Sequence, residues 1–126
     1  MTTEILDEKR VREIAKSWTA AWNARDLAAL MSHYADDVTF MSPTVIRRDG
    51  IPSGIIEGKV ALTEHFREGL EKFGPSVKFE LLDACVGVGG YALYYSRETG
   101  AKVIVAKRLN SEEKITEARV HYREGS

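Results

Sequence analysis

Residues 34–43 read Tyr-Ala-Asp-Asp-Val-Thr-Phe-Met-Ser-Pro, and how this stretch folds decides how the rest must be arranged around it. The helical pattern upstream is expected to stop at Tyr34–Ala35. Asp36 and Asp37 then turn the chain, and a strand begins at Val38. Strand side chains alternate between two faces, so Val38, Phe40 and Ser42 share one. That leaves a hydroxyl closing an otherwise apolar face directly before Pro43, and the question of what it does there.

Working outward, the apolar positions between Asp7 and Ala24 are Val11, Ile14, Ala15, Trp18, Ala21 and Trp22. This is the stripe of an amphipathic helix, with Asp7 as its cap. After a break at Asn23-Ala24-Arg25, Asp26 caps a short second helix bearing Leu27, Leu30, Met31 and Tyr34. Beyond Pro43, the stretch from Thr44 to Gly58 reads as a β-rich excursion with turns at Asp49-Gly50 and Pro52-Ser53-Gly54. A third helix is predicted from Lys59 to Phe73, its stripe formed by Leu62, His65, Phe66, Gly69, Leu70 and Phe73, and Gly74-Pro75 stops it. Four strands follow, Val77–Val86, Tyr91–Arg97, Ala101–Leu109 and Lys114–Arg123, the first two joined by a Gly-Val-Gly-Gly hairpin. Helices followed by an antiparallel meander define an α+β order, here a single domain over residues 1–126.

The chain carries 18 Lys and Arg against 19 Asp and Glu. With no basic cluster beyond Arg47-Arg48, a nucleic-acid partner is not expected. No apolar run approaches the roughly 20 residues of a membrane span. The charged start, MTTEILDEKR, lacks the apolar core of a signal peptide. A lone cysteine, Cys85, cannot crosslink the chain internally. The expected location is cytoplasmic.

Three segments, WTAAWNARDLAALMSHYADDVTFMSP (18–43), GIIEGKVALTEHFREGL (54–70) and KITEARVHYR (114–123), resemble the nuclear transport factor 2-like superfamily, in its SnoaL-like and ketosteroid-isomerase-like branches. The resemblance implies a cone-shaped α+β barrel, with three helices packed on a strongly bent antiparallel or mixed sheet around a mostly apolar pocket. It also implies a homodimer through the convex face of that sheet. In the isomerase branch the position of Ser42 holds the proton-moving aspartate, that of Trp18 an oxyanion-hole tyrosine, and that of Val105 a protonated aspartate. None of the three is matched here. An unassisted serine is far too weak an acid to serve as a base near pH 7. Cyclase relatives use an inward-facing aspartate on the final strands. Here the resemblance places Thr116, Ala118, Val120 and Tyr122 inward and the charged residues Glu117, Arg119 and His121 outward.

The candidate catalytic residues are therefore His65 and Asp83. His65 lies on the apolar stripe of its helix, where a small environmental shift sets an imidazole for acid–base work; the plainer reading is a core histidine with one hydrogen bond. Asp83 shares a strand face with Val77, Phe79 and Leu81, near Tyr95 and Arg97. It either pairs with Arg97 inside the cone, or a rim ion pair or bulge turns one of them outward. The aromatic residues Trp18, Trp22, Tyr34, Phe40, Phe66, Tyr95 and Tyr122, with Ser42, Arg97, Val103, Val105 and Val120, make up the expected ligand-binding lining. Asp36-Asp37 lacks neighbouring metal-ligand spacing, Cys85 reads as a buried inert thiol, and His33 and His121 as surface residues. No metal or cofactor is expected. Two functions follow: a pocket binding a small hydrophobic molecule without catalysis, or a cofactor-independent isomerase, cyclase or hydrolase-type enzyme working through His65 and Asp83. An apolar outer strip of Ala92, Tyr94, Ile104 and Ala106 is the expected dimer surface.

Overall fold

A computed structural model describes residues 4–124. Helix α1 spans Glu8–Asn23, and the Asp7 side chain accepts from the Arg10 amide at its start. Its apolar stripe is buried at every position from Val11 to Trp22 that the sequence pattern marked. Arg25 then takes a positive φ of 54°, which ends the helix and lets Asp26 cap α2 (Leu27–Met31). Helix α4 covers Lys59–Phe73 and ends at Gly74, whose φ of 49° favours a residue without a Cβ.

Strands β1 (Tyr34–Met41), β2 (Ile55–Glu57), β3 (Phe79–Val86), β4 (Gly90–Arg97), β5 (Lys102–Leu109) and β6 (Ile115–Arg123) form one curled, unclosed sheet in the order β2-β1-β6-β5-β4-β3. All neighbours are antiparallel except β1 and β6, which run parallel. The helices pack against the concave face; α1 lies chiefly against β3. Asn23 fixes that contact. Its side-chain amide donates to the Phe79 carbonyl at 2.9 Å and accepts from the Phe79 amide at 2.7 Å, supplying the hydrogen bonds of a missing strand neighbour at the sheet's edge. No helix among the described residues is long and apolar enough to cross a membrane.

Four expectations need correction. Strand β1 begins at Tyr34, so Tyr34 belongs to the sheet and Asp36-Asp37 do not turn the chain. The aspartates occupy a bulge, where β1 runs from Tyr34 opposite Ile115 to Thr39 opposite Glu117. Strand β2 pairs only with residues 39–41, so this part of β1 has one free edge, and both carboxylates stay in water. The expected β-rich excursion instead opens with a short helix, α3 (Pro43–Arg47). Ser42 is its cap: the hydroxyl accepts from the Thr44 amide at 3.2 Å, and Pro43 occupies the first turn, where a missing N–H costs nothing. The serine that closes the apolar face is thus first a helix start. Lastly, a bulge between Leu81 and Asp83 shifts the β3–β4 register so that Asp83 lies opposite Tyr94. One extra residue exchanges the two faces of a strand. Asp83 is therefore exposed, its carboxylate accepting from the Ala84 amide. Cys85, two residues on, is exposed as well rather than buried.

Candidate functional site

The concave side of the sheet and the helices enclose a cavity of about 210 Å³. Trp18 and Trp22 reach it from α1, and His65, Phe66, Gly69 and Phe73 from α4. Strand β1 supplies Tyr34 and Phe40, β4 supplies Tyr95 and Arg97, β5 supplies Val105 and β6 supplies Ala118, Val120 and Tyr122. Ser42 and Thr44 lie at the β1–α3 junction. Val103, a predicted lining residue, is fully buried between Tyr95 and Tyr122 in the register and does not reach the cavity. The inward set on β6 holds for Ala118, Val120 and Tyr122. Thr116 does not line the cavity, because the β5–β6 register shifts between Arg108 and Leu109 and seats Ile115 in the core.

The aromatic residues form one continuous wall. The ring of Phe79 stacks between Trp22 at 4.8 Å and Tyr95 at 4.9 Å, and Phe66 meets Trp22, Tyr34 and Phe40 edge-on or tilted at 5.0–5.6 Å. Such offset and edge geometries are the favourable ones for ring quadrupoles. Trp18 Nε1 donates to the Tyr34 hydroxyl at 3.0 Å. Burial raises the Tyr34 pKa far above the usual phenol range, against the smaller effect of that hydrogen bond, so the hydroxyl stays neutral.

His65 does not meet Asp83. Its Nδ1 lies 2.5 Å from Asp49 Oδ2, and since a carboxylate only accepts, the proton is on Nδ1. Arg48 Nη2 also lies 2.8 Å from Nδ1, but its hydrogen bond goes to the His65 carbonyl at 2.5 Å. Gly69 makes this possible, because a Cβ there would collide with the Arg48 guanidinium. The free Nε2 faces Thr44 Oγ1 at 3.3 Å, and Thr44 Oγ1 faces Ser42 Oγ at 2.9 Å. The result is a chain from Asp49 through His65 to two hydroxyls on the cavity wall. Asp49 itself lies behind the ring, in a shallow outer depression shared with Arg48, Glu64 and Glu68. Burial is the largest influence on His65 and lowers its pKa; the bond to Asp49 raises it and Arg48 lowers it again. The net direction is down, so the imidazole is neutral and able to accept a proton near pH 7.

Arg97 also has a partner other than Asp83. It pairs with Glu98 at 2.8 Å, lies 4.7 Å from the Phe79 ring centroid and approaches the Tyr122 hydroxyl at 3.4 Å. This ion pair sits where Phe73, Glu98 and Thr99 join the lining; of the sequence alternatives for Asp83 and Arg97, the bulge that turns Asp83 outward is the one that matches.

Among the cavity-lining residues that sequence reasoning passed over, Lys107 is unusual. Lys107 is only 2% exposed, and among the described residues its Nζ has no hydrogen-bond partner. It stands on the inward face of β5, after Val103 and Val105 and before Leu109, with Nζ 3.5 Å from the Trp18 ring centroid and 5.6 Å from that of Tyr91. A ring face favours an ammonium by up to about 2 kcal/mol when both are desolvated. Full burial disfavours the charged form and outweighs that attraction. The amine is therefore held well below the ordinary lysine range. Trp22 Nε1 is a second buried donor on this wall without a partner among the described residues. Those residues hold no group of three or more His, Cys, Asp or Glu side chains placed to bind a metal.

The family-model comparison matches a SnoaL-like domain over residues 15–123. The chain belongs to the SnoaL-like family. A SnoaL-like protein of unknown function from Burkholderia thailandensis is 30% identical, superposes with a TM-score of 0.91, and aligns over 95% of this chain and 99% of its own. A protein described as a putative ketosteroid isomerase from Kribbella flavida is 14% identical, with a TM-score of 0.73 over 95% of this chain and 82% of its own. A putative isomerase of the SnoaL-like family from Agrobacterium tumefaciens is 18% identical, with a TM-score of 0.71 over 91% of this chain and 98% of its own. At such identities the latter two share the fold alone. The curated proteins contain no match. Within this SnoaL-like chain, the fold places an Asp–His–Thr–Ser chain and a buried lysine on one aromatic cavity.

Burial also predicts how the fold responds to acid. His33 Nε2 lies 3.3 Å from Ser17 Oγ, and the residue is half-buried rather than a free surface group. Burial first, then nearby cations, lower its pKa from the usual imidazole range; with Lys107 itself held neutral, burial and the charges of Lys114 and Arg10 are what remain. His33 and His65 both have folded pKa values below their unfolded ones. The unfolded chain therefore binds more protons below about pH 6.5, and stability falls from there toward pH 4. The expected result is a denaturant midpoint that falls as the pH is lowered across that range. His33→Gln should flatten part of the slope; an unchanged profile would show that His33 protonates freely in the folded state.

Proposed function

We propose that this SnoaL-like protein binds a small, largely apolar molecule in its cavity, recognising it by one aromatic ring's width of apolar wall and a few fixed polar atoms. The observation that carries this reading is the cavity itself, walled by aromatic side chains, with His65, Thr44 and Ser42 converging at one place on it. An apolar cavity of about 150 Å³ accommodates benzene, so about 210 Å³ suits a single substituted ring. Both tryptophans of the chain line the cavity, so all indole emission reports on it. Titration with small aromatic alcohols and acids should quench that emission saturably, and Val120→Phe, which fills the cavity, should abolish the effect. Linear, non-saturating quenching in wild type would overturn the reading.

A second reading, acid–base catalysis on the bound molecule, is favoured by the hydrogen-bonded Asp49–His65–Thr44 arrangement. It replaces the expected His65–Asp83 pair with His65–Asp49. The solved relatives described as putative isomerases make proton transfer a natural class to test. Ser42 as a helix cap, Trp18 as a wall residue and Val105 in the core do not supply the acids of a ketosteroid-isomerase mechanism.

We further infer that the working form is a cytoplasmic homodimer joined through the outer sheet face. Tyr94 and Ile104, 37% and 49% exposed, lie opposite each other in the register, beside Ala92 and Ala106. Arg108 and the Arg119–Glu117 pair flank this strip. Cys85 stands opposite Ala92, so dimerisation should slow its reaction with a thiol reagent. Ile104→Glu should give monomers with a freely reactive thiol. A wild-type monomer at micromolar concentration in sedimentation would sink the inference.

A further inference from the structure

We propose that Lys107 is a carbonyl-capturing residue: the cavity's ligand carries an aldehyde or ketone group that condenses with its Nζ. The inference rests on the cavity being a ligand site and names the class of molecule that would fill it.

The argument begins with an oddity of β5. In Lys102–Leu109 the inward positions are apolar except for Lys107. The backbone holds that strand tightly: β4 approaches it at Gly90, where a Cβ would collide with the Lys107 carbonyl. Lys107 lines the cavity, with its Nζ buried against the Trp18 ring. A buried lysine kept for structure is normally paired with a carboxylate or with carbonyl oxygens. This one has neither among the described residues. An arrangement that leaves a desolvated amine without a partner is destabilising unless something entering the cavity uses it.

Of the groups an apolar ligand can carry, a carbonyl uses all that this amine offers. The neutral nitrogen has the lone pair that attacks carbon, and desolvation in an apolar pocket is one of the recognised ways of activating a lysine. The nitrogen adds to the carbonyl carbon, a proton moves from nitrogen to oxygen, and the carbinolamine then loses water. The product is an imine between the ligand carbon and Nζ, with one water released and no oxidant or reductant required. An aromatic or conjugated carbonyl would extend its ring along Trp18 and Phe79.

The test uses benzaldehyde as the probe and benzyl alcohol as its non-carbonyl counterpart, on the wild-type protein at pH 7. Cyanoborohydride reduces the imine to a secondary amine and leaves a mass increase equal to the aldehyde less one oxygen. An ordinary surface lysine is neutral only about once in 10³ molecules at this pH, so Lys107 should label at least about tenfold faster than the others. Peptide mapping should place the adduct on Lys107, and Lys107→Met should lose it. Mapping on wild type decides the matter even if that variant fails to fold. Saturable quenching by benzyl alcohol, with no benzaldehyde adduct or one spread over surface lysines, would overturn carbonyl capture and leave the binding site standing. Absence of quenching by either compound would remove both.

Discussion

Trp18→Ala is expected to cost about 3–5 kcal/mol of unfolding free energy, the range for truncating a large buried aromatic side chain. The residue is 3% exposed. Its ring meets Trp22 at 6.3 Å, Phe79 at 5.8 Å and Tyr95 at 5.4 Å, so it joins helix α1 to strands β3 and β4. Truncation opens a void beside an existing cavity. It also removes the donor to the Tyr34 hydroxyl, a buried group whose unmet hydrogen bond costs about 1–3 kcal/mol. Trp18→Phe separates the two contributions, since it keeps most of the ring and loses the N–H. The matching change Trp22→Phe should be milder, because Trp22 Nε1 has no partner to lose among the described residues. Guanidinium unfolding monitored by far-UV dichroism would measure all three. A loss below about 1 kcal/mol for Trp18→Ala would mean that α1 does not depend on this contact.

Much of this was legible in the sequence because burial imposes a period. The stripe on α1, the stripe on α4 and the four-strand meander all bury one face and repeat at 3.6 or 2 residues, and the structure follows them closely. The failures have local causes. Thr44, Val45 and Ile46 are β-branched and read as strand, but Ser42-Pro43 is a cap followed by a proline, a start signal that outweighs propensity over so short a helix. The bulge at Leu81–Asp83 leaves no mark on the composition, and it alone turns Asp83 away from the cavity. Asp49 was read only as part of an Asp-Gly turn. Its meeting with His65 depends on how α3 packs beside α4, which no local pattern encodes. Lys107 could have been found: Val103, Val105 and Leu109 define the inward face, and a lysine in that series is the exception to examine.

The residue pairing at His65 carries the largest functional expectation. The Nδ1–H bond to Asp49 holds the ring so that Nε2 faces Thr44 and the cavity. Burial, with Arg48, lowers the imidazole pKa further than Asp49 restores it. Asp49→Asn should therefore drop the His65 pKa below its already lowered wild-type value, while Asp83→Asn, on the outer face, should leave it unchanged. Ring-proton NMR titrations read both. If the Asp83 variant moved His65 and the Asp49 variant did not, the pairing described here would be wrong. Should turnover of any substrate be found, His65→Ala ought to reduce it by about 10²-fold or more, on the limb of the pH profile where the neutral imidazole forms. Thr44→Val then divides the possibilities. A comparable fall would make the Thr44 hydroxyl the group His65 activates; a small one would leave Nε2 to take its proton from the bound molecule directly. Retention of full turnover in His65→Ala would reduce the Asp49–His65–Thr44 chain to a brace between α3 and α4, and leave the cavity as a binding site.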